Sequence, residues 1–200
     1  MLYDRDIREP LFDFLEESYG KVRIIEEKRI GKSRADVMLV LDSMLAGVEI
    51  KSDADTYARL ERQIADYNRC FDINYIAVGS THAAHVTEHV PDWWGIITVE
   101  EKNTDSDDES VKEVDFYILR QPELNPRRHH EFFRKRQIDF LWRPELANIQ
   151  ERYGLYKYKQ KSKLFVRNYI MDSIPEEKLK KEITDELFER DYAIWEKQQN

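Results

Sequence analysis

Apolar residues recur at helical spacing near the start of the chain, where Ile7, Leu11, Phe14 and Leu15 fall on one face of a helix predicted over residues 6–19. Pro10 fits a first helical turn, which sets the start near Asp6, and Gly20 ends the element. The pattern then shortens to strand character. Residues 22–28 and 35–41 read as strands joined by the turn-like RIGKSR, and DSMLAG leads into a third strand over 47–51. Helical periodicity returns over 56–71, with Leu60, Ile64, Tyr67 and Phe71 as its apolar stripe. INYIAVGS has the near-continuous apolar character of a buried strand, and THAAHVTEHV reads as a short helix ended by Pro91. Residues 96–101 and 114–119 read as a hairpin around the acidic KNTDSDDES. Past Gln121, Pro122 and Pro126 mark a linker, and helices are predicted over 128–142, 145–153, 162–174 and 176–198. The last of these starts behind Pro175, at the favoured first helical position. This order predicts an α/β core with a mixed central sheet over residues 1–121, followed by an α-helical subdomain over 122–200.

Composition narrows the class. Apolar residues make up 41% of the 200 positions and charged residues 36%, which suits a folded domain with a heavily solvated surface. The single cysteine, Cys70, excludes an intramolecular disulfide framework. The charged N-terminus does not read as a signal peptide, and no apolar run approaches the about 20 residues that span a bilayer. A soluble, cytoplasmic protein without a membrane partner is the expectation. The net charge of −8 argues at first against polyanions, yet it is unevenly spread. Residues 121–170 hold twelve Lys/Arg against five Asp/Glu, a local +7, and the remainder carries −15.

The chemistry concentrates in GVEIKSD, residues 47–53. Val48 and Ile50 alternate with Glu49 and Lys51, so strand geometry puts the carboxylate and the ammonium on one face. Asp36 opens the preceding strand, and pairing of the two strands brings it beside Glu49. Two carboxylates and an amine converging on one face repel one another unless something binds them, and a hard divalent cation does so. The adjacent amine then orients or deprotonates an attacking water.

RAD at 34–36 followed by VEIK at 48–51, on strands in this order, resembles the PD-(D/E)XK nuclease superfamily. Gln63 and Tyr67 add a Q-x-x-x-Y spacing similar to the exonuclease branch of those enzymes. The run EIKSDADTYARLERQIADYNRCFD, with PDWWGI and FLWRPEL, resembles a small bacterial and phage family within it. Alanine rather than proline precedes Asp36. The resemblance implies a restriction-endonuclease-like αβββαβ core and a metal-dependent phosphodiesterase. Asp36 and Glu49 would hold Mg²⁺ or Mn²⁺ with the Ile50 carbonyl, Lys51 would stabilise charge on the phosphoryl oxygens, and Gln63 would reach the site from the second helix. Glu9 is the implied third carboxylate from the first helix, with Asp6 its competitor.

Blander roles compete. An E-x-K on a strand is often a solvated ion pair, Tyr67 belongs to a core stripe, and Trp93 and Trp94 read as packing residues. His82, His85 and His89 have metal-like spacing without a carboxylate partner, so a solvated surface is preferred to zinc. RRHHEFFRKR and YGLYKYKQKSK interleave cations with aromatics, as strand-binding surfaces do. Lys157, Lys159 and Lys161 are candidate nucleic-acid contacts, and Arg59 and Arg62 are comparable ones near the cleft. The leading expectation is a DNA-cutting nuclease; RNA and pairing into a homodimer stay open. The alternatives are a catalytically silent nucleic-acid-binding module or a protein adaptor on the same fold.

Overall fold

A computed structural model describes residues 1–102 and 112–192 of the chain. The polar hairpin tip expected from residue 103 onward and the end of the last expected helix lie outside the described residues. The elements run α1 (Asp4–Tyr19), β1 (Arg23–Ile30), β2 (Ser33–Leu41), β3 (Met44–Lys51), α2 (Leu60–Tyr67), β4 (Ile73–Gly79), α3 (Ser80–Ala83), β5 (Gly95–Glu101), β6 (Val114–Arg120), α4 (Glu131–Asp139), α5 (Arg143–Arg152), α6 (Lys163–Ser173) and α7 (Glu176–Phe188). The six strands form one sheet in sequence order. β1, β2 and β3 pair antiparallel, β3, β4 and β5 parallel, and β6 returns antiparallel to β5. The sheet is therefore mixed, as the alternation of hairpins and crossovers requires.

Helices cover both faces. On one, Ile7, Leu11 and Leu15 of α1 pack against Val37, Leu39, Val48, Ala77 and Ile97. On the other, Met38, Val40, Leu45, Ile76 and Val78 join Leu60 and Tyr67 of α2 and the buried side chains of α4 to α7 in one cluster. Sheet and C-terminal helices thus share a core. No helix among the described residues is long and apolar enough to cross a membrane.

Several boundaries differ from the sequence reading, each for a local reason. α1 begins two residues earlier and carries Pro10 inside it. Asp6 accepts from the Tyr3 backbone N–H at 2.8 Å and fixes the earlier start, while burial of Ile7, Leu11 and Leu15 offsets the missing proline donor. β3 takes in most of DSMLAG, because the turn is only Asp42–Ser43, with Ser43 left-handed at φ 60°. α2 stops at Tyr67, since the carbonyls of Asn68, Cys70 and Phe71 accept from the buried side chains of Asn125 and Gln137. The expected helix over THAAHVTEHV splits into α3 and a 3-10 turn at Val86–Glu88. α7 ends at Phe188 rather than continuing, and Arg190 turns inward. Its guanidinium donates to Glu145 Oε1 and Oε2 at 2.6 and 2.7 Å and to the Phe140 carbonyl at 2.8 Å.

Candidate active site

β2 and β3 are in register as far as Val37 opposite Val48, and one further step sets Asp36 opposite Glu49. There side chains take over the ladder. Asp36 Oδ2 accepts from the Ile50 N–H at 2.8 Å, a place a β2 carbonyl would fill in a continued ladder. The Tyr67 hydroxyl accepts from the Asp36 N–H at 3.2 Å and donates to the Val48 carbonyl at 3.1 Å. Tyr67 reaches this gap because Gly47 lies beneath it; a β-carbon there would collide with the rings of Phe71 and Tyr67. So the two strands part where the two carboxylates face each other.

Glu49 and Lys51 follow on the same side of β3 and are only 1% and 6% exposed. Lys51 Nζ lies 2.6 Å from Glu49 Oε1 and 3.3 Å from Gln63 Oε1. Gln63 Nε2 also donates to Glu49 Oε1, so its amide closes a three-way contact from α2. Glu49 Oε2 is buried and has no hydrogen-bond partner. Tyr67 stands nearby, but its single proton is already directed to Val48. A buried carboxylate oxygen without a donor is costly unless a cation meets it.

The electrostatics agree. Burial, and next the proximity of Glu49, pushes the Asp36 carboxyl up to about 7 against the opposing influence of the Ile50 N–H, Lys51 and Arg8. Burial likewise raises Glu49, opposed by Lys51 first and then by the Tyr67 hydroxyl and Gln63. Burial first, then both carboxylates, raises Tyr67, which keeps its proton. The pair therefore holds a proton near neutrality where a cation would serve as well.

From α1, the side chain that reaches Asp36 is Arg8, whose guanidinium donates to the Asp36 carbonyl at 3.3 Å. It also pairs with Asp4 at 3.0 Å, Glu27 at 3.2 Å and Glu26 at 3.6 Å. Glu27 sits in the left-handed region at φ 53°, opposite Asp36 in the β1–β2 register, and also pairs with Arg34. The neighbouring acids have other places. Glu9 is solvent-exposed, and Asp6 is engaged with the Tyr3 backbone. No group of three His, Cys, Asp or Glu side chains able to hold a metal ion is gathered among the described residues.

Asp36 and Gln63 open onto a cleft of about 480 Å³ between the β1–β2 hairpin and α2. Arg59 and Arg62, named from the sequence, line it from the start of α2 (Arg59 at the 3-10 turn just before it), and Arg29, Lys32 and Arg34 line it from the hairpin. The hairpin cations are not among the residues named from the sequence, where RIGKSR reads as a connection; three cations within six residues leading directly to Asp36 are the signal for them. Arg8 and the bridging hydroxyl of Tyr67 had no such signal, because both depend on contacts across the fold. Lys157, Lys159 and Lys161 lie apart from the cleft lining, in the connection between α5 and α6. Lys157 and Lys159 sit over the rings of Tyr158 and Tyr156 at 5.3 and 4.7 Å. His82 and His89 pack on Tyr57, while His85, expected without a carboxylate partner, has one in Glu88 of the following 3-10 turn, 3.3 Å away.

Compared with known proteins, residues 1–199 match the family described as Bacteriophage P4 protein cII. The chain belongs to that family. No curated protein and no solved structure matches it.

Proposed function

We propose that this member of the Bacteriophage P4 protein cII family is a divalent-metal-dependent nuclease with a restriction-endonuclease-like core, hydrolysing phosphodiester bonds of DNA. The observation that carries the reading is the orphaned Oε2 of Glu49 beside the elevated carboxyl of Asp36. That donor set suits Mg²⁺ or Mn²⁺, which take hard oxygen ligands and leave coordination positions for water and phosphate. Asp36, Glu49 and the Ile50 carbonyl would hold the ion, which when bound supplies a more acidic water and positive charge against the phosphate.

The rest falls to the chain's own groups. Lys51 is kept beside Glu49 and presents a fixed ammonium to charge that develops on the phosphoryl oxygens. Gln63 bonds both Lys51 and Glu49, so it sets the Lys51 ammonium and can pass its amide to an incoming water. Tyr67 holds the strands apart so that Asp36 points at Glu49 without closing the ladder. Arg59 and Arg62 draw the polyanion toward Asp36.

Binding of nucleic acid without cleavage is the second reading, and one observation favours it. Glu49 and Lys51 are closed off behind the Gln63 amide, as a structural ion pair would be. Labelled DNA incubated with Mn²⁺ or Mg²⁺ separates the two. Cleavage that stops in EDTA and falls at least about a thousandfold in Asp36→Ala and Lys51→Ala is the expected result. Binding without cutting in either metal supports the second reading and removes the first.

A further inference from the structure

The cleft beside Asp36 has a shape and charge that bear on the form of the nucleic acid it takes. Its walls are two separate elements, and both are cationic. The β1–β2 hairpin supplies Arg29, Lys32 and Arg34, and the opposite wall supplies Arg62 of α2 and Arg59 from the 3-10 turn that leads into it. At Gly31 the walls converge, for a β-carbon there would press on the Asp66 carboxylate of α2. Its space of about 480 Å³ is open to solvent and comparable in size with a small-molecule site. One or two nucleotides of a single strand fit between the two walls, whereas a duplex would lie across the open mouth of the cleft.

The hairpin wall is also held in place. Gly31 takes the left-handed turn at φ 91°, and Arg29 donates back to its carbonyl at 3.5 Å. Glu27, itself left-handed, holds Arg34 on one side and Arg8 on the other, and Arg8 is bonded to the Asp36 carbonyl. This chain of contacts couples the position of a cleft cation to the backbone of the residue at the cleft's acidic end. A non-glycine residue in that region is strained unless its surroundings hold it, and here two guanidiniums do.

We infer that the cleft binds an unpaired nucleic-acid strand, gripping its phosphates between the β1–β2 hairpin and α2 and leading it to Asp36. The inference rests on the nuclease reading for the meaning of Asp36, but its test does not need cleavage. Strand capture from both sides neutralises phosphates with Arg29, Lys32, Arg59 and Arg62, Arg34 being paired with Glu27, so the salt dependence follows the single-strand slope of about −0.7 per phosphate contact.

Fluorescence anisotropy in EDTA compares a single-stranded DNA of about 12 nucleotides, a length within the span of strand-binding grooves, with the same sequence as a blunt duplex. The expected result is at least about tenfold tighter binding of the single strand. In Arg59→Glu with Arg62→Glu, both exposed at the start of α2, single-strand affinity should fall at least about tenfold and the salt slope shrink by about 1.4. Lys32→Glu, at the exposed turn, gives the same direction of change from the opposite wall. Equal or tighter binding of the duplex overturns the inference, as does single-strand affinity unmoved by both reversals. Adding Mn²⁺ then separates this inference from the nuclease reading. A captured strand left uncut sustains the cleft and removes the nuclease, whereas cutting of duplex in preference to single strand sustains the nuclease and removes the strand site.

Discussion

Asp36 loses its proton near pH 7 in the folded chain, against an ordinary value near 3.8, because burial and Glu49 both disfavour its charge. Between pH 4 and 7 the unfolded chain has released this proton while the folded chain keeps it, so the stability that the neutral carboxyl contributes is lost as pH rises through about 7. Asp36→Asn cannot ionise. In the absence of divalent metal it should be more stable than the parent at pH 8 by roughly 1–3 kcal/mol, a range reduced for the partial exposure of the group, with the gap closing toward pH 4. Urea unfolding at the two pH values reads this directly; an Asn variant less stable at pH 8 contradicts it. At this scale the sequence was informative about Asp36, Glu49, Lys51 and Gln63, because strand alternation alone puts Glu49 and Lys51 on one face. It was silent about Arg8, since nothing in a helix of alternating acids and bases tells which one meets a strand many residues away.

At the scale of elements, the parting of β2 and β3 depends on α2. Tyr67→Phe removes the hydroxyl that serves both the Asp36 N–H and the Val48 carbonyl, leaving two buried backbone groups without partners. A loss of about 1–3 kcal/mol in denaturant unfolding is expected, together with weaker metal binding as Asp36 shifts. An unchanged stability means that the strands are kept apart by something other than this bridge. The hairpin and crossover order was legible from the alternating and helical periods, and so was the mixed sheet. Boundaries failed where distant side chains decide them. α2 ends where Asn125 and Gln137 take its following carbonyls, and β3 extends back through Met44 because a two-residue turn suffices. α1 tolerates Pro10 because three buried aliphatic side chains outweigh one absent donor.

Across the whole molecule, the C-terminal helices complete the core on the α2 face of the sheet. The expressed segment 1–121 should therefore expose the apolar side of Met38, Val40 and Ile76 and lack a cooperative thermal transition. A sharp transition in that segment contradicts the shared core. Within the helical part, the segment after α7 is pinned to α5 by Arg190 on Glu145, a bidentate pair buried on both sides with the guanidinium 4.0 Å above Trp142. Arg190→Ala leaves Glu145 buried without its partner and should cost about 3–5 kcal/mol. The split between a basic middle and an acidic remainder was visible in the sequence, but the cationic cleft was not. It is built from a hairpin and a helix in the acidic part, where net charge conceals the five cations facing one another.

Isothermal titration of the metal-free protein with Mn²⁺ at pH 6 and pH 8 bears most directly on the carboxylate pair. One ion per chain is predicted, bound more tightly at pH 8 with proton release at pH 6, and lost in Asp36→Asn. No saturable heat at either pH, or binding that survives Asp36→Asn, would contradict a cation held between Asp36 and Glu49.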